Sequence, residues 1–88
     1  MGIVLDEMTA RVLGIVLERG MIRGAELMRS AGVKRANELI TPIMVLQKEK
    51  LVEVKGDILQ EEKFPFATFS VRPSDKEYLY EILKHSAT

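Results

Sequence analysis

Arginine and asparagine beside an apolar helical pattern are the residues here whose side chains suit recognition chemistry. A guanidinium can bond guanine at two atoms, and a carboxamide can do the same for adenine, so both can read base edges in a major groove. From Arg19 to Arg35 the cations Arg19, Arg23, Arg29, Lys34 and Arg35 meet one carboxylate, Glu26, which leaves a local net charge of +4. Segregation of this kind suits a phosphate backbone. The polar residues Lys34, Arg35, Asn37, Glu38 and Thr41 are the candidates to lie nearest base edges, while Arg23, Lys48, Lys55 and Lys63 suit phosphates. Arg29 belongs with the cluster that reaches Arg35. From Glu49 to Lys63 the balance reverses to −2, three lysines against five carboxylates, and such a stretch repels a duplex backbone except near Lys55 and Lys63. The plainer explanation for each cation taken singly is a solvated charge on the outside of a helix.

Other chemistries find fewer of their groups. Cysteine is absent, which excludes disulfides, thiol nucleophiles and thiolate metal sites. The one histidine, His85, falls near the end of the sequence, and no carboxylate cluster stands ready for a metal. No catalytic, cofactor-binding or metal-ligating residue is therefore expected, nor an enzyme. The 13 basic and 13 acidic residues cancel, so nucleic-acid affinity would have to come from distribution rather than from total charge. Phe64, Phe66 and Phe69 resemble a stacking platform for single strands. Pro65 and the acids Glu61 and Glu62 favour packing in a core or interface instead. The five methionines are expected mainly as gap-fillers in the core.

These residues need elements to hold them. A chain of 88 residues, 47% hydrophobic and 30% charged, is one globular domain spanning 1–88. No apolar run approaches a membrane span, and Met1 to Leu5 is too short for a signal-peptide core, so a cytoplasmic location is expected. Leu5, Met8, Val12, Ile15 and Val16 recur at helical spacing, with Asp6 as N-cap and Gly20 as stop. Leu13 and Leu17 widen that face, as in a helix that is central to the domain or shared with a second subunit. Met21-Ile22 is a candidate short strand. Gly24 to Ala31 reads as a helix with Leu27, Met28 and Ala31 inward and Gly32 as its stop.

A third helix begins near Lys34, with Ala36, Leu39, Ile40, Ile43 and Leu46 inward. Pro42 interrupts it, either within one kinked helix or as the first residue of a second helix capped by Thr41. One kinked helix is the preferred expectation. Leu51 to Lys55 and Phe64 to Arg72 read as a two-stranded hairpin around the turn at Gly56-Asp57, with Ala67, Phe69 and Val71 on one face. Ser74 and Glu77 form a capping-box pattern before a last helix, whose apolar face is Tyr78, Leu79, Ile82 and Leu83. One of Tyr78 and Tyr80 is expected in the core.

Three helices followed by a hairpin is the winged helix-turn-helix order. Gly24 to Val33 resembles the first helix and turn of that motif, with Leu27 inward and Gly32 at the turn. Leu46 to Val52 resembles the end of a recognition helix running into the first wing strand. The resemblance covers most of the chain and is to small bacterial and archaeal regulators of the MarR, ArsR and PadR kind. It implies an α+β winged helix: a three-helix bundle with a helix-turn-helix, a two-stranded wing and a C-terminal helix. It also implies a transcriptional regulator that places the helix around 34–49 in the major groove of double-stranded DNA. Such a chain would bind a pseudo-palindromic site as a homodimer through its first and last helices. Many family members carry glycine just before the first wing strand, where this chain has Lys50. The same fold serves elsewhere as a protein-interaction module, and the balanced charge and acidic hairpin favour that alternative, with a protein partner in place of DNA.

Overall fold

Asp6 opens the first regular element of the computed structural model, which describes residues 5–86. The apolar start of the sequence lies largely outside those residues. The Asp6 carboxylate accepts a hydrogen bond from the Thr9 amide at 2.7 Å, and its extended backbone suits an N-cap. Hydrogen bonds from the Thr9 side chain and amide hold this carboxyl below its ordinary pKa. Helix α1 follows over Glu7–Arg19 and stops at Gly20, whose φ is 79°. Val12, Leu13, Val16 and Leu17 are all buried within the single chain. The broad apolar face therefore makes α1 the central helix of the core.

Strand β1 (Met21–Arg23), one residue longer than the expected Met21-Ile22, leads directly into helix α2 (Gly24–Ala31), whose boundaries are those the residue pattern predicts. Gly24 is held by space: a methyl group there would collide with the carbonyl oxygen of Phe64, while its amide donates to the Ala67 carbonyl at 2.8 Å. The end of α2 is a Schellman turn. Gly32 takes φ 73°, its amide bonds the Arg29 carbonyl, and the Val33 amide bonds the Met28 carbonyl.

Helix α3 spans Asn37–Lys48 and so begins later than Lys34. The reason is Glu38, whose Oε2 accepts from the amides of Lys34 and Arg35 at 3.3 and 3.1 Å. That clamp holds the two residues in a bend ahead of the helix. Pro42 lies inside α3, which continues through it as one element. The separate helix capped by Thr41 is not formed. Buried contact at Pro42 accompanies the helical bond that its missing N–H forgoes. A second Schellman turn closes α3, with Lys50 at φ 61° and bonds from the Lys50 and Leu51 amides to the Gln47 and Leu46 carbonyls.

The expected two-stranded hairpin is a three-stranded antiparallel sheet in the order β1-β3-β2, where β2 is Glu53–Lys55 and β3 is Thr68–Ser70. β1 pairs with the open edge of β3, so the strand predicted at Met21 completes the sheet. Both hairpin strands are shorter than their β-rich sequences. Pro65 lies in a 3-10 turn over Phe64–Phe66, which delays β3 until Thr68. Ala67, Phe69 and Val71 do share the buried face. Phe64 and Phe69 are fully buried with ring centroids 5.5 Å apart, whereas Phe66 is exposed.

Helix α4 covers Lys76–Ser86 after a 3-10 turn over Pro73–Asp75. Ser74 falls inside that turn, so the expected capping box with Glu77 does not form. Arg72 Nε instead donates to Asp75 at 2.9 Å. Leu79 and Ile82 enter the core, and Leu83 packs partly against it. Tyr78 and Tyr80 are both exposed, against the expectation that one would be buried. They flank Leu79, the residue that points into the core. The described residues thus form an α+β fold of four helices and one three-stranded sheet. None of these helices is long and apolar enough to cross a membrane.

Candidate nucleic-acid interface

The α2–turn–α3 unit positions most of the candidate contact residues. Arg23 is the last residue of β1 and occupies the N-cap position of α2 with an extended backbone. Arg29 is in the last turn of α2. The left-handed Gly32 then redirects the chain, and the Glu38 clamp presents Lys34 and Arg35 on the bend before α3. Asn37, Thr41 and Lys48 lie along the outer side of α3, and all of these residues are exposed.

The sheet brings together two candidates far apart in sequence. Arg23 pairs with Thr68 on one side of β3, and Lys55 pairs with the same Thr68 on the other. Directly paired residues share a face, so Arg23 and Lys55 stand in one row with Thr68, about 10 Å apart from strand spacing. The opposite face carries Ile22, Phe69 and Val54 toward the core. Lys63 is separate from this row, exposed just before the Phe64–Phe66 turn.

Ion pairing divides the basic residues. Arg11 lies 3.9 Å from Glu7, Arg19 is 3.1 Å from Glu26, and Arg72 is 2.9 Å from Asp75. Arg19 thereby neutralises Glu26, the one acid within the basic stretch. Among the described residues, Arg23, Arg29, Lys34, Arg35, Lys48, Lys55 and Lys63 make no ion pair. Lys50 after α3 and Lys76 and Lys84 on α4 make none either. The unpaired cations of the α2–turn–α3 unit and the sheet can meet phosphates without first breaking an ion pair.

Two residues on this surface escape sequence reasoning. Met44 is 52% exposed and Val45 39% exposed on the outer side of α3. Their hydrophobicity would assign them to the core, yet their spacing from Asn37 and Thr41 places them on the polar side. That spacing is the signal that could have found them. Met21 is exposed as well, while Met8 and Met28 pack partly against the core, so only some methionines fill gaps.

A cleft of about 450 Å³ separates the end of α3 from the sheet, lined by Gln47, Lys50, Glu53, Lys55, Arg72 and Asp75 among others. Its charges are mixed. Among the described residues no group of His, Cys, Asp or Glu could hold a metal ion. No family model matches the chain, and no curated protein matches it.

Proposed function

We propose that the chain is a winged-helix DNA-binding domain, acting as a small transcriptional regulator in the cytoplasm. α2 and α3 form its helix-turn-helix, α3 enters the major groove, and β2–β3 is the wing. The observation that carries this reading is the sorting of arginines. Those on the α2–turn–α3 unit are exposed and unpaired, while Arg11, Arg19 and Arg72 hold carboxylates. Arg29, Lys34 and Arg35 flank the groove-facing helix, and Arg23 and Lys55 extend the positive surface across the sheet. Lys48 and Lys63 serve the phosphates at its margins. Asn37 and Thr41 face the bases.

A homodimer on a pseudo-palindromic site completes the proposal. The central residues of α1 are already buried in the monomer, so α4 supplies most of the dimer surface through Tyr78 and Tyr80. Met8 and Ile15 on α1, both half-buried, can add to it. Fluorescence anisotropy with mixed duplex fragments at two salt concentrations tests DNA binding. Replacing Lys34 and Arg35 together with Ala should weaken binding and lower the salt slope by about 2 for each bound protomer. Unchanged affinity and slope would remove the pair from the contact surface.

A second reading has its own support. Leu59 and Phe66 are 70% and 78% exposed on the segment between β2 and β3, which also carries Glu61 and Glu62. Exposed apolar groups beside acids suit a protein partner rather than a phosphate backbone. A module of that kind passes through heparin at low salt, whereas the DNA-binding domain is retained.

A further inference from the structure

The outer stripe of α3 has a polar residue at each end and an apolar middle. Asn37 and Thr41 come first, then Met44 and Val45, then Lys48, all exposed. Ahead of the helix stand the unpaired Lys34 and Arg35 on their clamped bend. Met44 and Val45 are not borrowed by the core, which is filled on the other side of α3 by Leu39, Ile43 and Leu46. A helix side that meets only water has no use for two neighbouring apolar side chains between a threonine and a lysine.

Given that α3 enters a major groove, the chemistry of that groove accounts for the pattern. Thymine alone among the four bases presents a methyl group at its major-groove edge. Valine offers a stiff branched surface to such a methyl, and methionine a flexible, polarizable one that adapts to its position. The γ-methyl of Thr41 adds to the same strip. Asn37, one turn earlier, has the carboxamide that pairs with the adenine edge. We infer that Met44 and Val45 are specificity-determining residues that read thymine methyl groups, so that the recognised sites are rich in A·T pairs where α3 lies. This rests on the DNA-binding reading. A protein partner is a poorer occupant of this strip. Two apolar side chains with cations around them fall well short of the roughly 800 Å² per partner that a stable protein interface covers.

The test selects sites from a library of short random-sequence duplexes and then replaces each selected thymine with uracil. That exchange removes the methyl and keeps the base pairing. Enriched sites containing thymine are expected, with affinity falling about fourfold for each contacted methyl lost. Met44→Ala and Val45→Ala should each bind thymine and uracil duplexes more nearly alike. Both positions are exposed, so the variants should fold, and the uracil exchange tests the wild-type chain independently. Equal binding of the two duplexes by wild-type protein overturns the inference. So does duplex binding without any sequence enrichment, and either result leaves the DNA-binding reading standing. Failure of folded protein to bind any duplex at low salt overturns both and gives the strip to a protein partner.

Discussion

Lys50 sits at φ 61° in the turn that closes α3, and it is the one described non-glycine residue with positive φ. The turn needs a left-handed residue there, because the Lys50 and Leu51 amides must reach back to Gln47 and Leu46. A side chain costs about 1–2 kcal/mol in that conformation, and glycine would give back about 0.5–1 kcal/mol through unfolded-state entropy. Lys50→Gly should therefore stabilise the fold by about 0.5–1 kcal/mol, seen as a higher urea midpoint with an unchanged slope. A lower midpoint would show that the lysine side chain contributes contacts outweighing its strain. The family resemblance expects glycine before the first wing strand, so the strain falls at a position the sequence already marked. Met44 and Val45 show the opposite case. Hydrophobicity says core, and only the angular position on α3 says surface.

At the scale of elements, the residues that mark a boundary by type were legible, and the side-chain bonds that shift a boundary were not. α2 was readable to the residue: Gly32 ends it through its own left-handed backbone, and the glycine that marks its start, Gly24, is held by the approach of the Phe64 turn. The start of α3 was not, because Glu38 reaches back to the Lys34 and Arg35 amides and holds them out of the helix. The capping box at Ser74 failed for a similar reason, since Arg72 and Asp75 join across the turn. The third strand was half legible. Met21-Ile22 reads as a strand, but its pairing with β3 is a long-range event that no local pattern contains. Gly24 ties α2 to the Phe64 turn and gives the sharpest test of this packing. Helix propensity alone favours Gly24→Ala by up to about 1 kcal/mol. Collision with the Phe64 carbonyl instead predicts a loss of about 3 kcal/mol, measurable by chemical denaturation. A stabilised variant would mean that α2 and the turn are not in close contact.

Across the whole molecule the charges sum to zero, and the sum conceals their arrangement. Carboxylates on α1, on α2 and before α4 take up Arg11, Arg19 and Arg72, while Arg23, Arg29 and Arg35 stay free. Exposed ion pairs add little stability, so this sorting matters chiefly through the local field it leaves. The sequence made the basic stretch and the acidic segment after α3 visible. It did not reveal which arginines are paired, because the Arg19–Glu26 contact depends on how α1 packs against α2. The most direct test of DNA docking compares the two classes of arginine in one anisotropy series across salt concentrations, on protein of known oligomeric state. Arg23→Gln, Arg29→Gln and Arg35→Gln should each weaken duplex binding and reduce the salt slope by about 1 for each bound protomer, whereas Arg11→Gln and Arg72→Gln should leave both nearly unchanged. Equal effects from the two classes, or no duplex binding by the folded wild-type protein, would contradict the proposed interface.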